Sequence, residues 1–156
     1  EEEVTAWIAL SPATVTSGCM RFVPGSHTKV LEHADTFHED NLLTRGQEIA
    51  VEVDEKDAVD AVLQPGAMSL HHGRLLHASN PNSSDDRRIR LAIRDISTKE
   101  KPAGGGGTMG TLARGTDEYG NFELAPAPNK IMGDEEMAVW RRATGAKDQI
   151  LYRETA

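Results

Sequence analysis

Short apolar segments, each closed by proline or glycine, constrain the fold of this 156-residue chain more than any other feature. Val4–Leu10 is rich in β-branched and aromatic residues and ends at Ser11-Pro12, and Cys19–Val23 ends at Pro24-Gly25. Such segments are shorter than a typical helix, and their composition favours buried strands. Proline and glycine after each segment favour tight turns. The pattern therefore predicts a mainly β protein, either a sandwich or a jelly roll.

The remainder of the first hundred residues follows the same pattern. Residues 26–46 are polar and show no clear period, so we expect a long surface loop with at most a helical turn. In the most regular strand, Ile89, Leu91 and Ile93 share one face because side chains alternate along a strand. The further predicted strands are Ile49–Val53, Ala58–Leu63, Ala67–His72, Arg74–His77 and Arg88–Ile96.

A run of glycines divides the chain. Four consecutive glycines at 104–107 predict a linker or mobile loop over residues 99–110. Residues 1–98 are then the C-terminal part of a β domain, and residues 111–156 are a C-terminal extension.

The extension contains one predicted helix. Asp134 is a suitable N-cap, and Gly145 stands where a glycine commonly follows the last helical turn. We therefore expect a short helix over residues 134–144, and we expect it to bury Met137 and Trp140.

Charge and cysteine content exclude several classes of protein. A net charge of −8 disfavours contact with phosphate backbones, so we expect no nucleic-acid partner. No apolar run approaches the length of a membrane span. The single cysteine, Cys19, excludes an internal disulfide and a thiolate zinc site, and it fits a reducing, cytoplasmic location.

The sequence runs from Glu1 directly into a strand pattern, so we expect a fragment or a processed chain.

The region after residue 63 carries the densest set of chemically active side chains. His77 ends a predicted strand, and Arg88 opens the next strand after a polar turn at residues 80–86. A neutral imidazole is the commonest transition-metal ligand, and a guanidinium can bind a carboxylate through two hydrogen bonds. The pair therefore suits a small dicarboxylate that chelates a metal. The alternative is a core histidine beside a solvated arginine cluster.

Three sequence blocks stand in order along the first hundred residues. They are Val4–Leu10, Ser17–His27 with its Pro-Gly-Ser-His turn, and Pro65–Arg94 with its Leu-Leu-His-Ala-Ser and Arg-Arg-Ile strings. Together they resemble the phytanoyl-CoA dioxygenase family. The resemblance implies a double-stranded β-helix of the cupin-like, jelly-roll type, incomplete in this chain and followed by a short C-terminal helix. It also implies Fe(II) and 2-oxoglutarate as cofactors.

The resemblance implies roles for four residues. His77 matches the distal of the three iron ligands of the family. Arg88 matches the arginine that binds the distal carboxylate of 2-oxoglutarate, Ser79 matches a hydroxyl donor to that carboxylate, and Trp7 matches an aromatic that lines the same pocket. The implied reaction couples decarboxylation of 2-oxoglutarate to hydroxylation of an unactivated C–H bond in a small molecule. The competing hypothesis is a non-catalytic β-sandwich, a binding or interaction module that has lost the iron site.

The other two iron ligands of the family form an H-x-D pair that precedes the strand matched by residues 4–10. We expect that pair to lie outside this chain. Two H-x-D triplets, His33–Asp35 and His38–Asp40, come after the Pro-Gly-Ser-His turn, and we expect them to be bystanders in the surface loop. The chain would then supply one ligand of three, and a missing N-terminal segment or a homo-oligomeric partner would complete the site.

Two positions leave alternatives open. Alternation from Arg88 puts Arg90 on the pocket side, where relatives often have glycine; either Arg90 enters the pocket and restricts the substrate, or a bulge redirects it. His71 and His72 are consecutive, so a strand sends them to opposite faces. Either one of them faces the pocket as a hydrogen-bond donor, or both are satisfied by neighbours. The resemblance leaves the substrate open, together with the choice between hydroxylation and halogenation.

Overall fold

The computed structural model describes residues 2–35, 47–49, 51–102 and 108–151. The chain divides into two compact units, Glu3–Asp95 and a second unit that combines Glu1–Glu2 with Ile96–Ala156. Two short 3-10 helices occur at Ser26–Thr28 and Glu55–Asp57. The described residues form one helix and ten strands: β1 (Glu3–Ala9), β2 (Met20–Phe22), β3 (His33–Asp35), β4 (Gln47–Ile49), β5 (Val59–Ala61), β6 (Met68–His72), β7 (His77–Ser79), β8 (Arg90–Ile96), β9 (Met109–Gly110), β10 (Glu123–Leu124) and α1 (Asp134–Leu151).

The first sheet of the larger unit has the strand order β6-β1-β8. Strands β1 and β6 are antiparallel, with Trp7 opposite Ser69 and Thr5 opposite His71. The backbone N–H of Leu10 donates to the carbonyl of Ile89 at 2.9 Å, which joins the end of β1 to the chain just before β8. Residues paired across a sheet point to the same face, so these pairs define one face of the sheet.

The second sheet has the strand order β5-β2-β7, and both of its ladders are antiparallel. Met20 lies opposite Ser79, and Phe22 lies opposite His77. An isolated bridge between Ala13 and Leu63 continues the pairing beyond the regular strands.

The two sheets enclose a small core. Trp7 is only 3% exposed, although tryptophan is rarely buried so completely. Side chains from both sheets meet here, which confirms the prediction of a mainly β, double-stranded β-helix (jelly-roll) fold. The buried members are Trp7, Ala9, Ala13, Cys19 and Met20, and Phe22, Ala61 and Leu63 pack against them.

A close backbone approach fixes the connection between β7 and β8. Gly18 has a φ of +70°, and a Cβ at this position would collide with the carbonyl oxygen of Asn80. The N–H of Ser83 donates to the carbonyl of Thr16 at 2.9 Å in the same region. Glycine is therefore required at residue 18, and the contact holds the turn that leads from Ser79 to Arg88.

The prediction of a surface loop over residues 26–46 is wrong at residues 33–35, which form β3. β3 pairs with β4 in an antiparallel ladder, with Ala34 opposite Glu48. The predicted strand over 49–53 lies further toward the N-terminus, because β4 covers Gln47–Ile49 and residues 51–53 form no strand. The first H-x-D triplet is β3 itself, whereas His38–Asp40 lies outside the described residues.

The smaller unit contains α1 and a parallel pair of two-residue strands, β9 and β10. The helix runs through Gly145 to Leu151, so the prediction that it ends at residue 144 is wrong. A glycine inside a helix costs about 1 kcal/mol, which is too little to end it. The N–H of Met137 donates to the carbonyl of Gly133 at 2.8 Å, so Gly133, not Asp134, stands at the N-cap position.

The predicted burial of the helix face is only partly correct. Met137 is half-buried, but Trp140 is 59% exposed. Trp140 and Val139 line a shallow pocket with the proline-rich segment 126–129.

The glycine run at 104–107 lies outside the described residues. In the parts of the chain that the structure covers, no helix is long and apolar enough to cross a membrane.

Candidate active site

The inner face of the β6-β1-β8 sheet is centred on Trp7. Thr5 is also buried on this face, and Ser69 and His71 lie opposite Trp7 and Thr5 on the neighbouring strand. From the other edge of the sheet, the Arg90 guanidinium lies 5.9 Å from the centroid of the Trp7 ring. The Arg90 side chain is therefore on the inner face, and no bulge turns it outward.

His77 approaches this face from the opposite sheet. Its ring centroid lies 5.8 Å from that of His71 and 6.3 Å from that of Phe22. The Nδ1 atom of His77 lies 2.7 Å from the carbonyl oxygen of Leu75. Because a carbonyl only accepts, Nδ1 carries the hydrogen, and Nε2 of the neutral ring keeps its lone pair. This is the arrangement in which a backbone carbonyl orients an imidazole for metal binding.

Arg88 and Ser79 form a direct pair across the two sheets. The Nη1 atom of Arg88 donates to the hydroxyl of Ser79 at 3.1 Å, and that hydroxyl in turn lies 3.4 Å from the sulfur of Met20. The Arg88 guanidinium lies 5.5 Å from the Trp7 centroid, so it also contacts the first sheet. Burial lowers the pKa of Arg88, and repulsion from Arg90 lowers it further. Arg88 has donors to spare for a carboxylate, since a guanidinium has five N–H groups.

His71 is the inward-facing member of the histidine pair. It is 9% exposed, and its Nδ1 atom is buried with no hydrogen-bond partner among the described residues. Burial is the main cause that lowers its pKa, followed by repulsion from His77 and Arg94. His71 is therefore neutral at pH 7. His72 lies on the other face, where it packs 5.4 Å from His27 and its Nδ1 atom accepts the N–H of Arg74 at 3.0 Å.

Sequence reasoning missed Ser69. Its hydroxyl is buried and has no hydrogen-bond partner in the described part of the chain. The sequence does indicate that Ser69 lies on the inner face, because it stands two positions before His71 on a strand and therefore shares its face. Buried polar atoms without partners are rare in proteins, so Ser69 and His71 mark a place where a ligand or water can bind.

The metal-binding capacity of the described residues is limited. They contain no group of three or more His, Cys, Asp or Glu side chains that could hold a metal ion. Among the described residues, His77 therefore has His71 nearby but belongs to no cluster of three ligands. The triplet His33–Asp35 belongs to the β3–β4 ladder, which is a separate sheet from the two that meet at Trp7.

Comparisons with known proteins agree with this arrangement. The fold is that of a double-stranded β-helix protein. The family model for phytanoyl-CoA dioxygenase (PhyH) matches residues 1–90, more than half of the chain. The chain therefore belongs to the phytanoyl-CoA dioxygenase family, which confirms the resemblance.

Curated relatives match a similar length of the chain. A phytanoyl-CoA dioxygenase from Oryza sativa subsp. japonica is 32% identical over 93 residues, which are 60% of this chain and 32% of the relative. The dioxygenase lolE1 of Epichloe uncinata is 29% identical over 90 residues. The chain thus spans about a third of the length of these relatives.

Solved structures extend the similarity to almost the whole chain. The non-heme monooxygenase ThoJ, in its apo form, is 32% identical with a TM-score of 0.82, and the match covers 97% of this chain and 54% of ThoJ. A nickel complex of ThoJ is 27% identical with a TM-score of 0.74. Most residues beyond 96 therefore have a structural counterpart in ThoJ, whereas the curated relatives match about 60% of the chain.

Proposed function

We propose that this chain forms the cosubstrate-binding part of a non-haem, Fe(II)- and 2-oxoglutarate-dependent dioxygenase that hydroxylates an unactivated C–H bond of a small molecule. The observation that carries the proposal is the Arg88–Ser79 pair. It lies against Trp7, with His77 two positions before Ser79 on the same strand.

The described residues fit part of the cofactor set. His77 offers Nε2 as a metal ligand because its Nδ1–H is bonded to Leu75. Arg88 and Ser79 offer N–H and O–H donors to one carboxylate, and their positions on two facing sheets define a single binding point. A metal ligand on the same strand as a carboxylate-binding hydroxyl suits 2-oxoglutarate. Its 2-oxo acid end can chelate a metal, and its distal carboxylate can bind a cation.

The protein's own residues have three tasks in this reaction. His77 holds one ligand position, and the carbonyl of Leu75 fixes its ring. Arg88 and Ser79 orient the cosubstrate by its distal carboxylate, which sets the position of the reacting end. Trp7, which is almost fully buried, excludes water from this end of the pocket. Iron, when bound, supplies the oxidative chemistry.

The remaining iron ligands are proposed to come from outside the described residues. A segment that precedes residue 4 in the natural protein would bring the H-x-D pair to His77. This follows from the family pattern.

The proposal is tested in the full gene product that contains these residues. We expect Fe(II)-dependent binding of 2-oxoglutarate by anaerobic calorimetry, and succinate formation in air. His77→Ala should lose metal binding, whereas His27→Ala, on the outer face, should keep it. If the parent binds neither Fe(II) nor 2-oxoglutarate, a non-catalytic interaction module is the better interpretation.

A further inference from the structure

Trp7 is in contact with two guanidinium groups. The Cζ atom of Arg88 lies 5.5 Å from the ring centroid, and that of Arg90 lies 5.9 Å from it. An indole ring attracts cations, and Trp7 is held rigidly in the core. Two positive charges therefore lie close to one aromatic ring on the inner face.

These two charges have no acidic partner in the described parts of the chain. No carboxylate there forms an ion pair with either Arg88 or Arg90. Arg94, further along the same face of β8, does have an acid nearby, since its Nε atom lies 3.9 Å from Glu3. On this face of β8, Arg94 therefore has an acidic partner, whereas Arg88 and Arg90 have none among the described residues.

Two like charges brought together without a counter-ion repel each other. The effect is visible at Arg88, whose pKa is lowered first by burial and then by Arg90. An anion between the two groups would remove the repulsion and accept hydrogen bonds from both. One carboxylate has about four acceptor positions, which is enough for two guanidiniums and the Ser79 hydroxyl.

We propose that Arg90 and Arg88 bind the same carboxylate, the distal carboxylate of 2-oxoglutarate, so that Arg90 is a second cosubstrate-binding residue. This inference rests on the proposed function and goes beyond it, because the family pattern assigns that carboxylate to Arg88 and Ser79.

The experiment measures ligand affinity by anaerobic calorimetry in the Fe(II)-loaded full gene product. Arg90→Gln should weaken 2-oxoglutarate binding about 3- to 10-fold, because a charge-assisted hydrogen bond from an exposed side chain is lost. Arg90→Lys should restore part of the affinity, since it keeps the charge. Arg87→Gln removes one positive charge from an exposed neighbouring position, and its affinity should change less than about twofold.

A second ligand separates binding from a structural role. 2-Oxopentanoate has a methyl group in place of the distal carboxylate and is otherwise the same length. Arg90→Gln should leave its affinity unchanged, since the contact that is lost involves only the carboxylate. The thermal unfolding midpoint of each variant is measured in parallel.

The outcomes are distinct. A selective loss of 2-oxoglutarate affinity supports the inference. Equal losses for both ligands, or an affinity for 2-oxoglutarate that is unchanged or higher in Arg90→Gln, overturn it, and the proposed function stands as long as the parent binds 2-oxoglutarate. A parent that does not bind 2-oxoglutarate overturns both.

Discussion

Replacement of Arg88 by alanine tests the carboxylate site directly. Arg88 is half-buried, donates to Ser79 at 3.1 Å, and contacts the buried Trp7. Exposed ion pairs contribute about 0–1 kcal/mol, whereas breaking a buried pair costs about 3–5 kcal/mol. The partial burial of Arg88 places the loss between these limits, at about 2–3 kcal/mol. At 1.4 kcal/mol per factor of ten, 2-oxoglutarate should bind about 30- to 150-fold more weakly.

The assay is calorimetric titration of 2-oxoglutarate into the Fe(II)-loaded full gene product. Arg88→Lys should bind more tightly than Arg88→Ala but less tightly than the parent, because lysine keeps the charge and loses the planar fork. Arg87→Ala is the matched control. Arg87 is exposed, and its hydrogen bonds are made by its backbone N–H and carbonyl, so its side chain should contribute little.

Two results would refute the reasoning. If Arg87→Ala loses affinity and Arg88→Ala does not, the register of the strand at the site is displaced by one residue. If neither change affects binding, the carboxylate does not bind at the Arg88–Ser79 pair, and the assignment taken from the family is wrong here.

Three further predictions concern stability and assembly. Trp7→Ala removes a side chain that is 3% exposed, so the free energy of unfolding in urea should fall by about 3–5 kcal/mol; a fall below about 1 kcal/mol would contradict the proposed core. The 156-residue chain alone should self-associate, because the outer face of the β6-β1-β8 sheet leaves Leu70 64% and Leu91 48% exposed; light scattering that shows a stable monomer at micromolar concentration refutes this. The N–H groups of Asn129 and Lys130, which donate to the carboxylate, lower the pKa of Glu136; its contribution to helix stability should be present above its ordinary pKa and be lost as the pH falls through the lowered value. Circular dichroism should show that Glu136→Gln abolishes this acid-dependent step and that Glu135→Gln does not.

Strands β1 and β2 were predictable because each is marked twice in the sequence. Val4–Leu10 is β-rich and is also closed by a turn dipeptide, so composition and boundary agree. The same holds for the segment that contains β2. Elsewhere the prediction failed: β7 begins at His77, where the predicted strand ends, and β3, with its polar His33 and Asp35, is a strand only through its pairing with β4.

The helix shows why local signals do not fix every boundary. Gly145 has the sequence context of a helix end, yet α1 continues for six more residues, to Leu151. The cost of one helical glycine is small beside the hydrogen bonds that the following residues gain. The exposure of Trp140 was unpredictable for a related reason, since helical spacing gives the apolar face but does not supply an element to cover it.

The sequence predicted which residues belong to the candidate site but not all of the contacts among them. The sequence pointed to His77, Arg88, Ser79 and Trp7 through the family pattern, and the structure brings Arg88 into contact with both Ser79 and Trp7. The role of these residues in binding stays a prediction. The unpaired atoms of Ser69 and His71 could not be predicted, because the absence of a partner is a property of the packed core.

The proposed carboxylate site lies between two sheets, so a ligand bound there affects the stability of the fold. Ser79 belongs to the β5-β2-β7 sheet, whereas Arg88 precedes β8 and contacts Trp7 of the β6-β1-β8 sheet. A ligand bound by both side chains therefore links the sheets at a point where the hydrophobic core is small. Its binding free energy adds to the stability of the folded unit, by about 2.7 kcal/mol at a hundredfold excess over the dissociation constant. If 2-oxoglutarate binds at this point as proposed, its binding and the folding of the β-rich unit form one coupled equilibrium.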